Sequence, residues 1–275
     1  MKQYFPFLSG LMLSLLVAAT LAGCETVQTT RPGAVGVERQ QTMLVSSDDV
    51  NRSAVQAYRQ EMKKAASKGL LNRNAAQVAR VRVIALRLAA ASGAFRPDAP
   101  GWAWESNVIT SKEINAWCMP GGKMAVYSGL IERLNVTDDE LAAVMGHEIA
   151  HALREHGRER ASQAMAQGMA LSVLGIVTGA SDAGVQLAQV ITDVTINLPN
   201  SRAHEIEADR IGVELAARAG YDPRAAVTLW QKMAKAAGGG PPQFLSTHPS
   251  PDNRIRDLQV YAERVMPLYR AAAKR

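Results

Sequence analysis

From Leu141 to Leu153 the chain is almost wholly apolar, yet this run carries His147, Glu148 and His151. Such a density of apolar residues places the segment in a buried helix. Its start is marked by Thr137-Asp138-Asp139-Glu140, a capping box in which Thr137 caps the amide of Glu140 and Glu140 reaches back. Two imidazoles and a carboxylate must then be buried together. An unpaired buried carboxylate is costly, so two satisfied core histidines do not account for the segment. Histidines four apart share a helix face, so both rings reach one metal ion, with Glu148 about 100° round at its side. That spacing suits a water held between metal and glutamate.

A catalytic zinc takes three protein ligands and keeps one position open. A third ligand in an extended motif, with Gly three and His six residues after the second histidine, is excluded because Arg154 and Gly157 stand there. The stronger candidate is Glu205, in the run Ser201 to Arg210. Glu205 and Asp209 are four apart, and Gly212 and Ala216 continue their face with side chains small enough for close helix packing. Glu205 is expected on the metal. Asp209 is expected to accept a hydrogen bond from the far nitrogen of His147, fixing its tautomer and raising its basicity. Glu207 points nearly opposite and is expected to be solvated.

The rest of the chain reads as mainly α with a small antiparallel β-sheet. Val50, Ala54, Val55, Tyr58 and Met62 recur at helical spacing, and a second helix is expected from about Asn74 to Ala91. Trp102 to Ile109, Glu113 to Met119 and Lys123 to Tyr127 are rich in aromatic and β-branched residues and read as strands. Lys123, Met124, Ala125, Val126 and Tyr127 follow the Pro120-Gly121-Gly122 turn and are expected to form an edge strand able to pair with an extended substrate. Residues 163–179 are nearly devoid of charge and read as a core or lid helix.

Lys2, the apolar run Phe7 to Ala22 and the box Leu21-Ala22-Gly23-Cys24 read as a signal peptide over residues 1–23. The box resembles the bacterial lipoprotein signal, which implies a lipid on Cys24 and a periplasm-facing protein, with Glu25 favouring the outer membrane. Residues 24–47 are expected to be a flexible tether and 48–275 one metallopeptidase domain. Cys118 is then left without a disulfide partner and is expected to pack in the interior. The net charge of +6 is scattered among acidic neighbours, which argues against a nucleic-acid partner.

Four segments in order resemble peptidase family M48: Asn115 to Leu130, His147 to His151, Glu205 to Asp209, and Ser246-Thr247-His248-Pro249 followed by Arg254. That family includes the CAAX prenyl endopeptidases, the mitochondrial stress protease of the Oma type and bacterial periplasmic lipoprotein proteases. The resemblance implies a gluzincin-type fold with one Zn2+ per chain on His147, His151 and Glu205, and Glu148 as general base. It also implies that His248 approaches the metal, capping the open position or helping to stabilise the oxyanion. Arg254 is expected to pair with Asp209 or the oxyanion. Without convincing spanning helices, prenyl-protein processing is not expected. The expected substrates are misfolded or unassembled envelope proteins; the alternative is a chaperone-like assembly factor that uses the same groove without cleavage.

Overall fold

A computed structural model of the chain describes residues 25–172, 183–236, 243–249 and 253–272. The expected signal segment 1–23 and Cys24 lie outside the described residues, as do positions 173–179 of the apolar stretch. Among the described residues, no helix is long and apolar enough to cross a membrane.

Helices dominate. Helix α1 (Ser47–Ser67) is capped by Ser46, which accepts from the amide of Asp49, and α2 (Ala75–Ala91) by Asn74, which accepts from Gln77. These caps satisfy amides that the first turn would otherwise leave unpaired. After α3 (Ser128–Arg133), the capping box of Thr137 and Glu140 opens α4 (Asp138–Leu153), and every residue of α4 from Glu140 onward is buried. Helix α5 (His156–Ser172) follows α4 through a sharp turn at Glu155. Next come α6 (Ala183–Thr192), a π-helical turn at Asp193–Asn197, α7 (Arg202–Arg218), α8 (Ala225–Ala236), the short α9 (Gln243–Thr247) and α10 (Arg254–Ala272).

The centre of the molecule is the crossing of α4 and α7. A Cβ on Gly212 would stand 2.7 Å from the backbone nitrogen of His147, and one on Gly146 would stand 2.9 Å from the carbonyl oxygen of Gly212. The two backbones therefore touch where the histidines begin, and only glycine permits it. Helix α10 packs on α7, and α8 and α2 pack on α4, so Leu141, Met145, Ile149, Ile211, Leu215, Val81 and Leu88 share one core.

The sheet differs from the expected antiparallel arrangement. Strands β1 (Glu25–Val27) and β2 (Gln41–Met43) form a separate ribbon, while β3 (Glu105–Ile109), β4 (Ala116–Met119) and β5 (Lys123–Tyr127) form a mixed sheet in the order β3-β5-β4. The β4–β5 hairpin is antiparallel, turning through Gly121 and Gly122 at φ of 77° and 78°, but β3 joins the far side of β5 in parallel. Lys123 to Tyr127 is thus the middle strand. Both its edges are occupied, so it cannot take up a substrate strand as expected. Cys118, Met124 and Val126 face the main core, and Trp117, Met119 and Ala125 face a second core with Tyr58, Ala54 and Ile191. Burial on both faces explains why the strands read as continuous apolar runs.

The segment expected as a tether is packed against the domain. Val35, Val37, Gln41 and Met43 are all buried, and the amide of Val35 donates to the fully buried carboxylate of Glu214 at 3.0 Å. Its Thr and Gln residues, which with Pro and Gly read as a tether, and Arg39 are instead hydrogen-bond partners of Arg154 at the end of α4, of Glu159 on α5 and of Glu207 on α7.

Candidate metal centre

Helix α4 presents His147 and His151 on one face, α7 presents Glu205 and Asp209 opposite, and His248 arrives on the turn after α9. His147 Nε2 lies 3.1 Å from His151 Nε2. Oxygens of Glu205 lie 3.4 Å from each of these nitrogens. His248 Nδ1 is 3.0 Å from Glu205 Oε1 and 3.2 Å from His147 Nε2. One ligand atom from each of His147, His151, Glu205 and His248 falls within 4.8 Å of all the others, and all four residues are buried.

The donor set fits a cation. His147 donates through Nδ1–H to Asp209 Oδ1 at 3.0 Å, and His151 Nδ1 lies 2.9 Å from the ring of His156. With its Nδ1 proton committed to Asp209, His147 turns a bare Nε2 toward His151 Nε2 and the Glu205 carboxylate in a buried space. Lone pairs repel there, and positive charge between them is favoured. The same preference shows in His147 itself: burial opposes its charge, but hydrogen bonds to Asp209 and Glu205 outweigh it and push the ring up to about 10. Burial would raise Glu205, yet His248, His147 and His151 hold its carboxyl well below the usual range. Two imidazoles and a carboxylate are the ligand types of a catalytic two-histidine, one-glutamate site, with His248 a fourth.

Behind this set, Arg254 is almost fully buried and grips both α7 carboxylates. Its Nε donates to Asp209 Oδ2 and its Nη2 to Glu205 Oε2, each at 2.6 Å. The guanidinium also lies 3.6 Å over the ring of Trp230. Arg256, next along the chain but one, is exposed.

Glu148 lines a small cleft with Cys118, Pro120, His151, His156, Gly157, Val194, Asn200 and His248. Its Oε1 is buried without a hydrogen-bond partner, 3.5 Å from His248 Nε2. Burial pushes its carboxyl up from the usual range, against the opposing charges of His248 and His147. An orphaned carboxylate oxygen turned toward a cation site is placed to take a proton from water there. Burial likewise pushes the Cys118 thiol up, which leaves it an inert packing residue.

The sequence profile of Peptidase family M48 matches residues 75–262, from α2 into α10. This chain belongs to peptidase family M48. Similarity extends to the mitochondrial metalloendopeptidase OMA1 of Schizosaccharomyces pombe, 36% identical over 218 residues that make up 78% of this chain and 61% of that protein. The OMA1 of Arabidopsis thaliana is 37% identical over 158 residues, 58% of this chain and 31% of that protein. The beta-barrel assembly-enhancing protease of Escherichia coli is 31% identical over 171 residues, 58% of this chain and 35% of that protein. The chain therefore spans from about a third to three fifths of the length of these relatives.

Outside the ligands, the M48 chain carries a polar layer that the sequence did not reveal. Glu207, expected in solvent, is only 7% exposed and accepts from His156 Nε2 at 2.9 Å, Arg154 Nε at 3.0 Å and Arg39 Nε at 2.6 Å. Near the start of α7, Arg202 and Ala203 are exposed, but the face that carries Glu207 meets α5 and the N-terminal segment instead of water. Arg39 also donates to both oxygens of Glu159, at 2.6 and 2.8 Å, and Gln41 donates to Glu159 Oε2 at 2.6 Å.

This layer makes the fold acid-sensitive. Burial raises Glu207, but hydrogen bonds from His156 and Arg39 outweigh it and hold the carboxyl down to about 2. Its folded value lies below its ordinary 4.5, so its stabilisation is complete above about pH 4.5 and is lost as pH falls toward 2. The urea midpoint is expected to fall between about pH 5 and 3, and to fall less in Arg39→Ala than in the wild type. Equal losses in the two proteins would contradict the assignment.

Proposed function

We propose that this chain is a zinc-dependent endopeptidase of the bacterial cell envelope that cleaves unfolded or unassembled proteins and rests in a closed state with His248 in the fourth ligand position. The observation that carries the reading is Glu148. A purely structural metal site with four protein ligands needs no carboxylate beside it, and here one oxygen of a buried carboxylate is left without a hydrogen-bond partner at the site.

His147, His151 and Glu205 would hold the zinc. When bound, the ion supplies Lewis acidity toward water and the peptide carbonyl. Glu148 takes the proton from water and returns it to the leaving amine, a double role that its raised proton affinity suits. Asp209 holds the Nδ1 proton of His147, so that the Nε2 lone pair stays on the ligand side. Extended substrate would add along β4, the strand at the end of the sheet, whose Cys118 lines the cleft beside Glu148.

The envelope reading rests on the Leu21-Ala22-Gly23-Cys24 box, with lipid on Cys24 and the outer membrane favoured by Glu25. Similarity to a protein named for enhancing β-barrel assembly supports that substrate class.

The test uses the purified chain, an unfolded model protein and His248→Ala. Freeing the fourth position should speed cleavage by about tenfold or more, the ratio for a closed state favoured by roughly 1.4 kcal/mol. Slower cleavage in the variant would make His248 an assisting residue. Absence of cleavage by both, with zinc bound, would favour the chaperone-like alternative.

A further inference from the structure

Only one of the two ligand histidines has a carboxylate directly behind it. His147 donates to Asp209, which Arg254 secures. His151 instead meets a second imidazole: its Nδ1 lies 2.9 Å from His156 Nδ1, and His156 Nε2 lies 2.9 Å from Glu207 Oε2.

We propose that His156 is a positioning residue for His151, locked in a single tautomer by Glu207, which Arg39 of the N-terminal segment holds in turn. The proposal rests on His151 being a metal ligand, and from there the protons are determined. With Nε2 of His151 turned to the other ligands, its proton sits on Nδ1 and is donated to His156 Nδ1. His156 Nδ1 must therefore be bare and its proton on Nε2, where Glu207 accepts it. The carboxylate of Glu207 also receives Arg39 and Arg154, so turning away would forfeit its hydrogen bonds to both guanidiniums. Guanidinium charge behind Glu207 and the Nε2–H donor of His156 in front of it leave each atom of the chain His151–His156–Glu207 one role.

The ring of His156 has little freedom to do otherwise. It is 1% exposed and stacks on His204 at 4.3 Å with 17° between the planes. His204 Nε2 lies 3.2 Å from Glu159, which Arg39 grips with two nitrogens. The backbone contributes as well. Glu155 takes a left-handed φ of 52°, uncommon for a residue with a side chain, and this reversal between α4 and α5 brings His156 back against His151. Arg96 at 2.5 Å and Arg158 at 2.8 Å hold the Glu155 carboxylate and with it the turn. Residue Arg39 thus places the N-terminal segment in the support of the metal site, two residues removed from a ligand.

Shape and hydrogen bonding can be separated by substitution. His156→Phe keeps a ring in the stack but offers no acceptor, whereas His156→Gln loses the ring and retains both an acceptor and a donor. Zinc affinity of the full chain is measured by competition with a chromophoric chelator, together with the absorption spectrum of the cobalt-loaded protein. The wild type binding one zinc, with binding lost in His147→Ala, establishes the site first; failure there would reject the metal reading and this proposal with it. His156→Phe should bind zinc roughly 10- to 100-fold more weakly and shift the cobalt spectrum, while His156→Gln should stay within about threefold of the wild type. Phe binding as tightly as the wild type, or Gln binding as weakly as Phe, would overturn the proposal. Nitrogen-15 NMR of the zinc-loaded wild type needs no variant: His156 should carry its proton on Nε2, and a proton on Nδ1 would refute the relay.

Discussion

Glu148→Gln should keep the fold and the metal and lose cleavage by about 10²- to 10⁴-fold, the usual share of a general acid–base residue. Glutamine has nearly the same shape, and Oε1 of Glu148 makes no hydrogen bond that the amide would forfeit. What disappears is the ability to accept and return a proton. Because Glu148 must be ionised to act as a base, cleavage should fall on the acid side as its carboxyl takes up a proton. Robust turnover in the variant, with zinc content equal to the wild type, would remove Glu148 from the mechanism.

Arg254→Ala should be the most destabilising substitution at the site. The guanidinium is 2% exposed and forks onto Asp209 and Glu205, and truncating it leaves two buried carboxylates short of a partner. Breaking a buried ion pair from one side costs about 3–5 kcal/mol. At roughly 2–4 °C per kcal/mol for a chain of this size, the thermal midpoint should fall by about 6–20 °C. Arg254→Lys should recover little, since a point charge cannot span two carboxylates as the planar fork does. A loss under about 1 kcal/mol in Arg254→Ala would show that His147 and the ligand set satisfy these carboxylates unaided.

The parts of the site legible in the sequence are those written in local spacing. His147, Glu148 and His151 on one helix, Glu205 and Asp209 one turn apart on another, and the capping box of Thr137 all follow from the helical period. The mainly helical fold and its small sheet followed from the same reasoning. The strand order did not, because β3 pairs in parallel with the far side of β5 and nothing in either strand announces that partner. Residues 25–46 misled for a related reason. Arg39 and Gln41 look like linker residues until their partners, Glu207 and Glu159, more than a hundred positions away, are in place. The helical period alone points Glu207 toward water, because it gives the direction of a side chain but not what covers it. One signal was available: Arg154, Glu155, Arg158 and Glu159 place a dense set of charges just after an otherwise apolar motif. His156 stands in the sequence only as a third histidine near that motif, and its position beside His151 depends on the left-handed turn at Glu155.

The account is tested most directly by stripping the purified chain with a chelator, restoring zinc, and following cleavage of an unfolded model protein at each stage. Loss of cleavage on stripping and its return with about one equivalent of zinc, the single-ion stoichiometry of a catalytic site, is the predicted result. Cleavage that persists in the stripped protein would contradict it, as would a chain that takes up one zinc and still cuts nothing when His248 is replaced by alanine.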